Sequence, residues 1–207
     1  MYDIPYFKAS HPEEILAYMK AHPFALICGA DLEGKPVATQ IPFLFEQRED
    51  KLFLHGHFMK KQDHTNAFFQ NPNVLVVFSG AHTYVSASWY ENKQIASTWN
   101  YQSVQIAGRI QFQDTAFLHS LLTRLTETFE APGSPSLVQE MDPAYVQQMM
   151  QAIVAFEVEV FSVRHVFKLS QNRDKKSREN IISKLNAQGG EALEIARAME
   201  EKNKINS

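Results

Sequence analysis

The residues best suited to chemistry lie in two stretches of the chain. The first is Phe78 to Tyr101, where both tryptophans, Tyr84, Tyr90, Tyr101, His82 and Asn100 stand among serines and threonines. Aromatic faces beside short hydroxyl and amide groups suit a flat ligand with polar edges, which must be stacked and hydrogen-bonded together. The same composition also suits a loop that simply closes a core. The second stretch, His55-Gly56-His57-Phe58-Met59-Lys60-Lys61, ends a strand-like run with two lysines. Adjacent ammonium groups could hold a phosphate, with Gly56 allowing close backbone approach, or could remain solvated.

Other constellations carry less. His55 and His57 share a strand face at a spacing of two, but no third metal ligand is assigned and no H-E-x-x-H motif occurs, so no metal is expected. Neither a nucleophile elbow, a phosphate-binding P-loop nor G-x-G-x-x-G appears. Glu157 and Glu159 alternate with Phe156, Val158 and Val160, which reads as the wet face of a strand rather than a catalytic pair. Cys28, the only cysteine, sits in the apolar FALICGA and reads as a small core residue.

The elements that must position these groups follow from periodicity. Ser10 and Glu13 have capping-box spacing for a first helix that His22-Pro23 ends. Strands are expected over Phe24–Ala30, Val37–Phe45, Lys51–His57, Val74–Phe78, Val104–Phe112 and Phe156–Val160, with a helical turn at Asn66–Gln70. Phe117, Leu118, Leu121, Leu122 and Leu125 form a helical stripe within 114–130, and Asp142-Pro143 starts a second helix. Asp174 caps another, Gly189-Gly190 interrupts it, and Ala192, Ile195, Ala196 and Met199 mark the last. Short strands with hairpin-length turns favour a mainly β, antiparallel barrel with peripheral helices over a doubly wound parallel sheet.

At 207 residues with 44% hydrophobic and 21% charged content, the composition is that of an ordinary globular protein. No run approaches the ~18 apolar residues of a membrane helix, and no export signal is visible, so a cytoplasmic protein is expected. The net charge of −3 is uneven. Residues 164–207 hold ten Lys or Arg against six Asp or Glu. A reading helix for DNA is disfavoured in the last helix, where Glu191, Glu194, Glu200 and Glu201 would repel phosphates.

Several segments, taken in order, carry a resemblance. They are Ala38-Thr39 with Pro42-Phe43, Gly56-His57 with Lys60 or Lys61, His82-x-Tyr84-Val85-Ser86-x-Ser88-Trp89-Tyr90, Thr98-Trp99-Asn100-Tyr101, and Lys168-Leu169-Ser170-Gln171-Asn172-Arg173. Together they resemble the PaiB-like family of FMN-binding negative transcriptional regulators, itself similar to the FMN-binding split barrels. The resemblance implies an antiparallel split β-barrel over 1–172, with a helical excursion at about 114–152 and a helical appendage over 173–207. It also implies a homodimer that holds FMN at the subunit boundary. Thr39, Gln40 and Ile41 would follow the flavin edge, and His57, Lys60 and Lys61 would surround the phosphate. Trp99, Asn100 and Ser103 would come from the partner chain or close the cleft, and Lys168, Ser170 and Gln171 would lie near the ring. Relatives often carry Arg at Lys61 and Asn near Asp63, and a carboxylate at Asp63 would oppose a dianion. Regulation through DNA or a protein partner follows from the resemblance alone. A flavin-dependent oxidoreductase, of flavin-reductase or pyridoxamine-phosphate-oxidase type, is the alternative, and a haem-bearing cleft is a third reading.

Overall fold

The computed structural model describes residues 1–205. Its elements run α1 (Pro12–Ala21), β1 (Phe24–Ala30), β2 (Pro36–Pro42), β3 (Leu44–Arg48), β4 (Lys51–Met59), α2 (Asp63–Gln70) and β5 (Asn73–Val85). They continue with β6 (Thr98–Phe112), α3 (Thr115–Phe129), α4 (Pro143–Met150), β7 (Ile153–Lys168), α5 (Lys175–Gln188) and α6 (Gly190–Ile205). The seven strands form one sheet in the order β2-β1-β5-β6-β7-β4-β3. The pairings β1–β2, β1–β5, β3–β4 and β4–β7 are antiparallel. No described helix is long and apolar enough to cross a membrane.

The chain divides into two compact units. One holds Met1–His22, Phe78–Val104 and Arg164 onward, and the other holds Pro23–Val77 and Gln105–Val163. The second unit contains the feature that curls the sheet. The single strand expected over Val37–Phe45 is broken at Phe43, which is fully buried and donates its N–H to Pro23 O at 2.9 Å. Before the break β2 pairs with β1, and after it β3 pairs with β4. Consecutive strands thus occupy opposite edges of the sheet with one residue between them, which a flat sheet could not accommodate. The inward side chain of Phe43 meets Phe156 edge-on at a centroid distance of 6.1 Å, a contact that fixes the corner.

In the same unit the leucine stripe of α3 faces α4. Leu118, Leu121, Leu125, Val138, Val146, Met150 and Ala155 form one buried cluster. Burying a side chain such as Leu121 contributes roughly 1.5–3 kcal/mol. Asp114 caps α3 by accepting from Phe117 N, and Asp142 caps α4 by accepting from Ala144 N. Each such cap stabilises its helix by ~1 kcal/mol.

In the first unit the C-terminal helices share a core with the sheet rather than hanging from it. Ile181 and Leu185 of α5, with Ala192, Ile195, Ala196 and Met199 of α6, pack with Val85, Tyr90 and Leu169. Gly189 and Gly190 connect the helices at φ +72 and +55, values that suit glycine. The expected Ser10–Glu13 capping box does not form. His11 is the N-cap of α1 without a side-chain cap, and Ser10 N donates instead to Glu14 Oε2 at 2.7 Å. The Ser10 hydroxyl and Glu14 together receive the buried Lys202 ammonium of α6.

Strands β5, β6 and β7 all outrun their expected limits, running over Asn73–Val85, Thr98–Phe112 and Ile153–Lys168. The polar aromatic segment is therefore half strand, over residues 78–85 and 98–101, and residues 86–97 form the connection.

Candidate functional site

The twelve expected cofactor residues fall six to each unit. In the second unit Thr39, Gln40 and Ile41 lie on β2, opposite Ile27, Leu26 and Ala25 of β1. Because β2 is an edge strand, every second residue directs its N–H and C=O away from its one sheet neighbour. Gln40 is exposed, and Thr39 and Ile41 are half-buried. The side chain of Ile41 reaches the place where a Gly56 Cβ would stand, 2.8 Å from Ile41 Cδ1 and 2.7 Å from Phe156 Cζ. Gly56 is therefore buried and needed for packing, not for the close approach of a phosphate. It brings β2 against β4 and so sets where the Thr39–Ile41 edge lies.

His57, Lys60 and Lys61 follow from β4 into the turn before α2. Burial holds the His57 imidazole below its ordinary pKa, so it is neutral at pH 7. Lys60 is anchored twice, its backbone N–H donating to Ala152 O and its ammonium to Gln151 O, both at 2.9 Å. Lys61 is exposed and has no hydrogen-bond or ion partner among the described residues. Asp63 is engaged within the first turn of α2. Its Oδ1 accepts from His64 N at 2.7 Å, which with the His64 ring lowers the carboxyl pKa. FMN fits this donor set. Two ammonium groups ahead of a helix N-terminus match a dianionic phosphate, and an unpaired strand edge matches the polar rim of an isoalloxazine.

In the first unit the picture divides. Trp99 is 52% exposed, with its ring 5.8 Å from His82 and 5.9 Å from Tyr84. Ser103 is half-buried. Asn100, by contrast, is wholly buried. Its Oδ1 accepts from Ser170 Oγ at 3.0 Å and its Nδ2 donates to Met199 Sδ at 3.5 Å. Ser170 is equally closed off and adopts φ +59, a left-handed conformation unusual outside glycine. Gln171 folds back on its own turn, accepting from Leu169 N at 2.8 Å and donating to Phe167 O at 2.5 Å. Asn100, Ser170 and Gln171 thus frame the end of β7 instead of offering side chains to a ligand. What they frame is Lys168. Its ammonium donates to Thr98 Oγ1 at 2.5 Å and lies 5.7 Å from the Tyr2 ring and 5.9 Å from the Phe7 ring. Burial, then the nearby Arg173 guanidinium, lower the Lys168 pKa.

One charged cluster was not foreseen. His55 is fully buried on β4, and its ring lies between Arg124 of α3, 2.8 Å from Nδ1, and Glu157 of β7, 3.0 Å from Nε2. Arg48 pairs with Glu157 and Glu46, and stacks on Phe53 at 3.7 Å. Arg124 donates to Nδ1, so Nε2 carries the proton and donates to Glu157. Burial, then Arg124, push the His55 pKa down to about 4. Glu157 is therefore a buried partner and not the solvated strand residue its alternation suggested. Glu159, the other, bonds Lys51 at 2.5 Å. The signal available in sequence was His55 and Glu157 on strands, but their facing register could not be read from either strand alone.

A family model described as "Putative FMN-binding domain" matches residues 1–162. The chain is 32% identical over 204 residues to protease synthase and sporulation protein PAI 2 of Bacillus subtilis, covering 98% of both chains. Among solved structures it is similar to the FAD and haem binding protein of Mycobacterium smegmatis, with a TM-score of 0.58 and 18% identity over 88% of this chain and 80% of that one. It is also similar to a conserved hypothetical protein of Mycobacterium tuberculosis, with a TM-score of 0.56 and 14% identity over 78% and 87% of the two chains. These structural likenesses show the fold, an antiparallel split barrel with peripheral helices.

Proposed function

The chain belongs to the family of FMN-binding domains whose model spans residues 1–162, and from that membership we propose a cytoplasmic, homodimeric, FMN-binding negative regulator of gene expression. FMN is its cofactor. The observation that carries the regulatory reading is the extent of the similarity to PAI 2. It covers 98% of both chains and so continues past residue 162, through the two C-terminal helices. A protein named for protease synthesis and sporulation thus matches this chain along nearly all of it, the two C-terminal helices included.

In this reading Lys60 and Lys61 neutralise the phosphate, and the Thr39–Ile41 edge hydrogen-bonds the ring. A second copy supplies the exposed Trp99 face and Ser103. The exposed aromatic surface of Trp99, Tyr84 and His82 supports that role, since apolar rings left in water favour a partner. Bound FMN would supply a ring whose redox state changes its charge and hydrogen bonding, which a regulator can sense. The surface acids of α6 argue against that helix entering a DNA groove, so contact with DNA or a regulatory protein uses another surface.

Gel-shift titration against DNA from upstream of the chain's own gene, at one fixed salt concentration with and without FMN, tests the reading. FMN-dependent retardation supports it, and no retardation even at low salt removes DNA as the direct partner. The half-buried Lys168 amine beside Thr98 favours a second reading, in which the chain is a flavin oxidoreductase and Lys168 holds a proton near the ring. Anaerobic bleaching of the flavin band by NADH or NADPH would favour that alternative.

A further inference from the structure

The helical excursion between β6 and β7 borders an open pocket of about 420 Å³ within the second unit. This is within the usual range of ligand cavities. Its back wall is core, formed by Leu125, Val138 and Val146. Its mouth is ringed by Phe129, Tyr145 and Met149, which are 56%, 53% and 44% exposed. Pro42 and His57 form its edge toward the sheet. We propose that this pocket binds an uncharged, apolar ring compound, at a site that shares only His57 with the residues assigned to FMN.

The argument for the ligand class rests on the lining. The only formally charged side chain around the cavity is Glu130, which is exposed and accepts from Ser134 Oγ at 2.8 Å. His57 stays neutral because burial disfavours its charged form. An anion would meet a carboxylate and no cation, while a neutral ring would meet leucine, valine, phenylalanine and two methionines. Methionine side chains are flexible and polarisable, so Met141 and Met149 can adapt to a flat ring. A second cavity of about 790 Å³, sharing Val138, Met141 and Val146, shows the contrast. It carries Lys60, His119 and several glutamines and suits a polar occupant. Three large exposed apolar side chains around one opening exceed what scattered surface hydrophobics would leave. A ring seated there would abut His57 and Pro42, next to both β-segments assigned to FMN, and so stands where an effector or redox partner would be useful.

Calorimetric titration of the FMN-saturated protein with 1-naphthol and with 1-naphthoate tests the proposal. The expected result is one site for 1-naphthol, with 1-naphthoate bound at least about tenfold more weakly. Met149→Asp and, separately, Phe129→Ala alter exposed side chains and should leave the fold intact. Met149→Asp should weaken 1-naphthol by about tenfold or more while the flavin absorbance stays unchanged. No binding of 1-naphthol, equal binding of the two probes, or binding unaffected by both variants would overturn it. So would light scattering that shows either variant splitting a dimer, because the face would then be covered by a second copy. Failure of the wild type to take up FMN would count against the flavin reading only, and the titration would then be read on the FMN-free protein.

Discussion

The Ser170 hydroxyl donates to the Asn100 carboxamide at 3.0 Å, tying the turn after β7 to the start of β6. That bond holds Ser170 at φ +59, a conformation that costs of order 1 kcal/mol or more for a residue with a Cβ. Asn100→Leu removes the acceptor and leaves a buried hydroxyl unpaired in a strained turn. It is expected to lower stability by about 1–3 kcal/mol, read from the urea midpoint at constant slope. Ser170→Gly loses the same hydrogen bond but also relieves the left-handed strain, so its loss should be smaller. A larger loss for Ser170→Gly would mean that the turn is not strained.

Gly56 makes a prediction that separates packing from binding. A methyl group there would stand 2.7 Å from Phe156 Cζ and 2.8 Å from Ile41 Cδ1, both closer than real contacts allow. Gly56→Ala should destabilise by about 1–3 kcal/mol through overpacking. Trimming the neighbour in the double variant Gly56→Ala with Ile41→Val should recover part of that loss, because the two positions share one contact. Thermal melts of the two single variants and the pair decide it. Strict additivity would contradict the contact.

The buried His55 cluster ties stability to pH in a definite direction. In the unfolded chain the imidazole titrates near ~6.5, whereas in the fold it is pushed down to about 4, chiefly by burial and then by Arg124. Above pH 6.5 both states are neutral and His55 adds no slope. As pH falls from 6.5 toward 4 the unfolded chain gains a proton that the folded chain does not, so stability declines across that window. Below 4 the contribution is constant. The total is about 1–3 kcal/mol, reduced from the full shift because Arg124 lies partly in water. Urea midpoints of the wild type and His55→Gln at pH 7, 5.5 and 4.5 should diverge in slope. Parallel curves would show that His55 titrates in the fold as it does in the unfolded chain.

How much of this was legible in the sequence depended on whether the signal was local. The helix of 115–129 and the strand Phe24–Ala30 were readable because apolar spacing and an Asp or Pro boundary act within a few residues. The break at Phe43 was not, since Ile41 to Phe45 is one unbroken apolar run and only the need to join two edges of one sheet splits it. The lysine pair was legible as two adjacent charges, but Gly56 was credited to the ligand when Phe156, a hundred residues away, explains it. Likewise the motif around Ser170 marked a special backbone without showing that its side chains bond inward. The resemblance located the segments, and the chain's long-range partners decided which atoms in them remain available.

Lys60 and Lys61 are neighbours in sequence but not in availability. The Lys60 ammonium already donates to Gln151 O, while Lys61 has no partner among the described residues. If both meet the phosphate of FMN, Lys61→Ala should cost the larger share, weakening FMN by about tenfold or more, the scale of a lost charge-assisted hydrogen bond. Lys60→Ala should cost less, since its ammonium must first leave a carbonyl. Lys61→Arg keeps the charge and adds a fork suited to phosphate oxygens, so it should bind at least as well as the wild type. Asp63→Asn removes a carboxylate one residue beyond the same turn and should strengthen binding. Fluorescence quenching of free FMN on titration measures all four. If Lys60→Ala proves more damaging than Lys61→Ala, the phosphate lies on the Gln151 side of the turn and the assignment of Lys61 fails.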